Sequence, residues 1–418
     1  MSETSAPARF VSQERLWRRL MEMARIGAIP GGGVNRAALS PEDIEARCLL
    51  ASWAGERGYA VAQDDIANLI IRREGRRADA APVLTGSHMD TQPLGGRFDG
   101  IYGVLAGLEA LEALDEAGVT TARPVEVVAW TNEEGGRFSP GAMGSMVFTG
   151  ARRLEEFLDA RDAAGERLGD ALARTLAALP EAGRRPLNTP VAAYVEAHIE
   201  QGPILDSADL SVGVVSGIQG CRWFDVQVSG ESSHAGTTPA WARRDALQEA
   251  LAAINGLNTL MREADDALRF TVGRLEVQPN TPNSVPAQVT FSVDLRHPER
   301  ELLERLGDRV ERVCRDSMQR CTLQVRETFR QPPCRFDPEV IAVIERAARD
   351  LDMPYETMRS GAFHDALFLA GVCPTAMIFA PCERGISHNP AENADPAHLA
   401  RATRVLAGAV LALAERAP

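Results

Sequence analysis

The chain has 418 residues, 45% of them apolar and 25% charged, the proportions of an ordinary globular protein. These values exclude disordered, collagen-like and disulfide-scaffold classes, and roughly 100–200 residues per domain predicts two or three domains. With 58 Asp and Glu against 45 Lys and Arg, the net charge of −13 argues against nucleic acid or an anionic membrane as main partner, because either needs a basic face.

Met1–Phe10 shows no basic stretch followed by an apolar one, so no secretion signal is expected. The spacing predicts helices over 11–26 and 41–57. The second opens on Ser40-Pro41-Glu42-Asp43, a capping serine, a proline at the first helical position and acids in the first turn. Pro82-Val83-Leu84-Thr85-Gly86-Ser87 reads as a short buried strand, a helix follows from about Ile101, 125–130 is again strand, and 151–179 reads as helical. Strand, helix, strand with crossovers of this length predicts an α/β sheet that is at least partly parallel.

From residue 212 the pattern changes. Extended chain over 212–229, a helix over 241–264, strands over 268–278 and 284–296, a helix over 299–319 and extended chain over 321–329 give a β-α-β-β-α-β order. That order is the signature of a small ferredoxin-like sheet with both helices on one face. A helix over 337–350 and a strand over 374–380 then resume the earlier style. The expected fold class is α/β: a large domain with a mixed sheet over 1–211 and 330–418, with an inserted α+β domain over 212–329. No run approaches 18 uninterrupted apolar residues, so no membrane span is expected. The seven cysteines are scattered without a C-x-x-C pair and are expected to be reduced thiols, which reads as cytoplasmic.

The chemistry-bearing residues cluster by position. His88 follows a predicted strand, Asp99 stands in Gly95-Gly96-Arg97-Phe98-Asp99-Gly100 at the mouth of a helix, and Glu133 and Glu134 follow the strand ending at Trp130. His198 lies in an alternating segment, and His388 lies just past the last predicted strand. A lone His-x-Asp or a Glu pair would be a weak signal, and His198 alone would fit a core histidine. Their coincidence at one predicted sheet edge, where α/β proteins bind ligands, points to a metal site. Imidazoles and carboxylates without thiolate suit a borderline or hard divalent ion. Adjacent glutamates do not easily reach the same ion, so one is expected to bind metal and the other to act as base. Asp90 is placed to accept the second N–H of His88. His297 and His398 read as surface residues.

Gly86-Ser87-His88-Met89-Asp90-Thr91, the Asp99 segment and Glu133-Glu134-Gly135-Gly136-Arg137-Phe138 resemble the M20 metallopeptidase superfamily. Glu196-Ala197-His198-Ile199-Glu200-Gln201-Gly202 and Ser232-Ser233-His234-Ala235-Gly236 narrow the resemblance to its amidase branch: N-carbamoyl-L-amino acid hydrolases, allantoate amidohydrolases and β-ureidopropionases. It runs from about residue 30 to the C terminus. Histidine at 198 is discriminating, because peptidase branches commonly carry a carboxylate there.

The resemblance implies two divalent metal ions per subunit, Zn²⁺ or Mn²⁺, with Co²⁺ or Ni²⁺ as alternatives. His88 and His198 would hold one, Glu134 and His388 the other, and Asp99 would bridge. Glu133 would be the general base and Asp90 the orienter of His88. The inserted domain would be a lid and dimerisation domain of a homodimer, from which His234, Asn283 and Arg296 bind the substrate carboxylate and the developing oxyanion in the partner's site. Gln201 and Gly361 are implied substrate contacts, and His364 either contacts substrate or serves the structure. Phe363 departs from the family pattern, which usually has Gly there. The implied substrate is a small N-carbamoyl L-amino acid, cleaved at its ureido C–N bond. The nearest rival is allantoate amidohydrolase or β-ureidopropionase, and a dipeptidase or deacylase is more distant.

Overall fold

The computed structural model describes residues 6–416, so the first five residues of the segment read for a secretion signal lie outside it. The chain divides into two compact units, one running to Gly217 and resuming at Phe336, the other spanning Ile218–Arg335. Residues 212–217 therefore belong with the large unit and 330–335 with the small one, unlike the expected boundaries. The reason is visible in Val212–Ile218: all but one of its residues are buried, the mark of a strand covered on both faces rather than of a half-exposed one.

The large unit is a mixed α/β structure built on β1 (Ala60–Gln63), β2 (Leu69–Arg73), β3 (Val83–His88), β4 (Val125–Trp130), β5 (Ala193–Ile199), β6 (Val212–Ile218) and β7 (Thr375–Ala380). Their lateral order is β6-β7-β5-β3-β4-β2-β1. β4, β3, β5 and β7 run parallel, while β6 joins β7, β2 joins β4 and β1 joins β2 antiparallel. The four parallel strands are buried at every residue, as a sheet sandwiched between helices requires. The β1–β2 hairpin was not among the expected elements. The expected helix over 151–179 is reduced to a 3-10 turn at Leu154–Glu156 and a helix at Leu168–Ala177. Between them the Asp162 carboxylate accepts the N–H groups of Ala164 and Glu166, a local turn that competes with helix.

Two helices matter most for the site. Ile101–Glu116 begins two residues after Asp99 and is buried along most of its length. Pro396–Ala414 packs against it; this helix is long and apolar enough to cross a membrane, but most of it is buried in the core. Ile101–Glu116 is anchored by charge: Arg15 Nη2 lies 2.7 Å from Glu109, and Arg19 and Arg57 lie 2.8 and 2.6 Å from Glu112. Because Glu112 is fully buried and Arg19 nearly so, Glu112→Ala strands a buried guanidinium. The expected loss is about 3–5 kcal/mol in urea unfolding, and a loss below about 1 kcal/mol would refute this anchoring role.

The small unit has strands at Gly220–Ser229, Arg269–Thr271, Leu275–Gln278, Gln288–His297 and Thr322–Gln331. Thr322–Gln331 pairs with Gly220–Ser229, which pairs with Gln288–His297, and the two short strands lie along the far side of the last; every pairing is antiparallel. Inward residues alternate along Gly220–Ser229 and Gln288–His297. Phe224, Val226, Phe291 and Leu295 pack with Ala250, Leu257, Leu303 and Leu306 from helices Ala246–Met261 and Arg300–Gly307. His297 corrects the surface reading: it is 1% exposed, because it closes its strand on the inward face with Nε2 3.0 Å from Asp265. His398 is half-buried. All seven cysteines are unpaired.

Candidate metal centre

The expected site residues of the large unit converge at the carboxyl ends of the parallel strands. His88 is the last residue of β3 and His198 the penultimate residue of β5. These strands are adjacent and parallel, which brings the two imidazole centroids to 5.8 Å. Glu133 and Glu134 follow β4, and His388 follows β7. Asp99 sits between the histidines: its Oδ1 is 3.3 Å from His198 Nε2 and its Oδ2 is 3.2 Å from His388 Nε2. Glu134 Oε2 is 3.5 Å from His388 Nε2, and Glu133 Oε2 is 3.5 Å from His88 Nε2.

The outcome is two groups of donor atoms, His88–Asp99–His198 and Asp99–Glu134–His388, each within 4.8 Å of one another and sharing Asp99. A third group, Glu196–His198–His364, is already engaged. Glu196 accepts from Ser87, Tyr194 and the Ala366 N–H, and His364 Nε2 pairs with Ser360 Oγ at 2.9 Å.

Backbone carbonyls fix the tautomers. Asp90 O lies 2.9 Å from His88 Nδ1 and Ile199 O lies 2.9 Å from His198 Nδ1. A carbonyl only accepts, so each Nδ1 carries the proton and each Nε2 is the unprotonated ring nitrogen; that of His198 accepts the Gly100 N–H at 3.2 Å, and that of His88 lies 3.5 Å from Glu133 Oε2. The expected bond from His88 to the Asp90 carboxylate is not formed; the nearest carboxylate oxygen is 4.0 Å away. That carboxylate instead accepts the N–H groups of Glu133 and Glu134, both at 3.2 Å, which would otherwise be orphaned in the turn after β4. Asp90 thus orients the glutamate pair with its side chain and His88 with its main chain.

The electrostatics fit a cation. Burial, then the charges of Asp365, Glu134, Asp90 and Asp99, hold Glu133 well above the usual carboxylate range. Burial and Asp99 push Glu134 up to about 8. Burial also lowers His88 and His198, favouring the neutral, ligating form. Burial opposes the charge on Asp99, but the hydrogen bond from His388 holds it below its ordinary value. Carboxylates packed this densely take up protons unless a cation sits among them, and nitrogen and oxygen donors without thiolate suit a divalent ion.

Backbone strain serves the same geometry. His388 and Gln201 hold left-handed backbone, φ 52° and 55°, at a cost of about 1–3 kcal/mol each. Gly100 is required beside them: its φ is +67° and a Cβ would lie 2.3–2.4 Å from the His88 ring. Gly100→Ala should displace the ligand and weaken metal uptake about tenfold or more. Metal content after dialysis against a buffered metal pool measures this, and wild-type content would refute it.

The sequence profile of peptidase family M20/M25/M40 matches residues 84–412, a span holding every residue of this cluster. The chain belongs to that family. M20 proteins are metal-dependent, and the donor groups around Asp99 are the candidate ligands here. Relatives put the chain in the amidase branch. An N-carbamoyl-L-amino-acid amidohydrolase of Rhizobium meliloti is 38% identical over 97% of this chain and 98% of its own length. One of Geobacillus stearothermophilus is 40% identical over 91% and 94%. The crystal structure of a hydantoinase/carbamoylase family amidase from Burkholderia multivorans is 44% identical, covers 97% of this chain and 98% of its own, and superposes with a TM-score of 0.91.

The remaining expected residues fall as follows. Gln201 Nε2 donates to Asp99 Oδ1 at 3.1 Å. Gly361 is exposed, whereas His364 is buried with its ring 4.5 Å from that of His198, a placement that favours its structural alternative. In the small unit, His234 and Asn283 are exposed neighbours at the end of a two-stranded ribbon, where Ala235 N donates to Asn283 O. Arg296 forms a side-on pair with Asp294, Nε and Nη2 at 2.9 and 2.8 Å.

Sequence reasoning missed Gln92, Glu196, Asp365 and Glu392. Gln92 donates to Glu134 Oε2 at 2.8 Å. Asp365 accepts from Ser145 Oγ and is the largest charge acting on Glu133. Glu392 accepts from Phe98, Asp99 and Ser387. Gln92 and Glu392 each lie within a few residues of an expected site residue, a signal indistinguishable from a solvated loop.

Proposed function

We propose that the protein is a cytoplasmic dinuclear-metal amidohydrolase that cleaves the ureido C–N bond of N-carbamoyl-L-amino acids. The observation that carries the reading is the sharing of Asp99 between two donor groups, joined to four relatives of 34–40% identity that bear the name N-carbamoyl-L-amino-acid amidohydrolase. His88 and His198 would hold one ion, Glu134 and His388 the other, and Asp99 both; Zn²⁺ or Mn²⁺ fits, with Co²⁺ or Ni²⁺ as alternatives. When bound, such ions supply Lewis acidity to water and to the carbamoyl oxygen.

The residues of the chain do the proton work. Glu133 takes a proton from the attacking water and delivers it to the nitrogen of the amino acid as the C–N bond breaks. Water has then added to the carbamoyl carbon, the free amino acid leaves, and the remaining carbamate falls to CO₂ and NH₃. Asp90 holds the main chain of Glu133 during this exchange. Gln201 and Gly361 complete the substrate-side set in this reading, with Gln201 beside Asp99, while His364 supports His198 from behind.

Allantoate is the second substrate class, since allantoate amidohydrolases of Escherichia coli and Bacillus subtilis are 35% and 32% identical to this chain. Ammonia release from N-carbamoyl L-amino acids, allantoate, β-ureidopropionate and a dipeptide separates these readings. Turnover of the carbamoyl compounds is expected, and cleavage of the dipeptide alone would overturn the assignment. Chelation should abolish activity and Mn²⁺, Co²⁺, Ni²⁺ or Zn²⁺ restore it; active protein without transition metal by elemental analysis would sink the mechanism.

The small unit is proposed to be a ferredoxin-like lid and dimerisation domain. Its strand order and helix positions support this, as does Thr322–Gln331, an edge strand that proteins usually cover or pair. In a homodimer, His234, Asn283 and Arg296 would serve the partner's centre, with Arg296 taking the substrate carboxylate as a two-donor fork. Mixing inactive Glu133→Gln with inactive Arg296→Ala protein should then restore activity after subunit exchange. No recovery in verified heterodimers would mean that these residues serve their own chain.

A further inference from the structure

Glu392 lies outside both donor groups and is fully buried. Its Oε1 accepts the N–H groups of Phe98 at 2.8 Å and Asp99 at 3.2 Å. Its Oε2 accepts the hydroxyl of Ser387 at 2.9 Å, and that hydroxyl lies 3.4 Å from Asp99 Oδ2. One carboxylate therefore grips the main chain that carries the shared ligand and, at the same time, the residue that precedes His388. Those two loops are 293 residues apart in sequence at the Asp99–Glu392 bond, and no regular sheet pairing sets their spacing there. Glycine at 96 makes the grip possible: a Cβ there would stand 1.9–2.2 Å from the Glu392 carboxylate. The backbone of Gly96 is not left-handed, so the need is for space alone.

We infer that Glu392 is a positioning residue that holds the loops of Asp99 and His388 in register, so that the two donor groups can share Asp99. This rests on the metal reading above. A carboxylate that makes three acceptor contacts and reaches both loops fixes the ligand donors before any ion arrives. The expected consequence of losing it is the one seen when an outer partner of a metal ligand is removed, about 10–100-fold in metal affinity.

The test uses the full chain, stripped of metal and titrated with Co²⁺ against a chromophoric chelator, with the visible absorption of the bound ion as a second readout. Glu392→Ala should weaken binding about 10–100-fold and alter the Co²⁺ spectrum. Glu392→Gln keeps an acceptor oxygen for Phe98 and Asp99 and should bind close to wild type. Gly96→Ala should weaken binding in the wild-type background but add little to Glu392→Ala, where the new methyl finds room.

Folded Glu392→Ala with wild-type affinity and spectrum overturns the inference. So does Glu392→Gln as weak as Glu392→Ala, which would make charge rather than positioning the cause, or Gly96→Ala equally damaging with and without Glu392. Should Glu392→Ala not fold, Gly96→Ala alone decides, and wild-type affinity in it overturns the inference. A wild-type chain that takes up no Co²⁺ overturns the metal reading itself, an outcome distinct from all of these.

Discussion

Glu133→Gln is expected to keep its metal and to lose about 10²–10⁴-fold in turnover, the usual worth of a positioned acid–base group. The amide preserves the shape of the side chain but cannot take a proton from water. Glu133 suits the task by its surroundings: burial and the charges of Asp365 and Glu134 hold its carboxyl well above the ordinary range, so it binds a proton readily once one is offered. Its oxygen lies 3.5 Å from His88 Nε2, at the edge of the donor cluster, and it belongs to neither group around Asp99. Glu134 does, so Glu134→Gln should weaken metal binding instead. Elemental analysis beside steady-state rates separates the two. Near-wild-type turnover in Glu133→Gln, or metal loss equal to that of Glu134→Gln, would exchange the two roles.

That these neighbours divide the work is an expectation of the sequence, because adjacent residues cannot easily point at one ion, and only Glu134 falls within a donor group around Asp99. The placement of His88, Asp99, Glu134, His198 and His388 was readable for a related reason: parallel strands with unbroken apolar runs announce where their carboxyl ends lie, and polar residues just past those ends must meet. What sequence could not show is which acceptor each donor chooses. Asp90 was expected to face His88, yet two orphaned N–H groups in the following turn claim its carboxylate while its main-chain carbonyl takes the imidazole. Residues 212–217 fall in the other unit from the one expected because burial on both faces depends on neighbours far along the chain. The helix expected over 151–179 failed at Asp162, where a side chain outbids the backbone for two N–H groups. Glu392 was silent in sequence because its meaning is a contact across 293 residues.

Asp99→Ala should be the most damaging single change, removing metal from both donor groups and lowering activity about 10³-fold or more, since such ions supply several kcal/mol of transition-state stabilisation. Every other ligand belongs to one group around Asp99, and only Asp99 belongs to both. Its two oxygens divide the work, Oδ1 toward His198 and Oδ2 toward His388. Losing it also removes the nearest acceptor of the Gln201 amide, which keeps Ser387 Oγ at 3.3 Å. His388→Ala is the informative contrast. His388 is half-exposed and serves one group, so that variant should keep the ion held by His88 and His198. The expected metal contents are therefore near zero for Asp99→Ala, about half of wild type for His388→Ala, and full for Glu133→Gln, following ligand count and site sharing. Wild-type metal content in Asp99→Ala would show that the two groups bind independently, and the shared-carboxylate reading of the centre would fall with it.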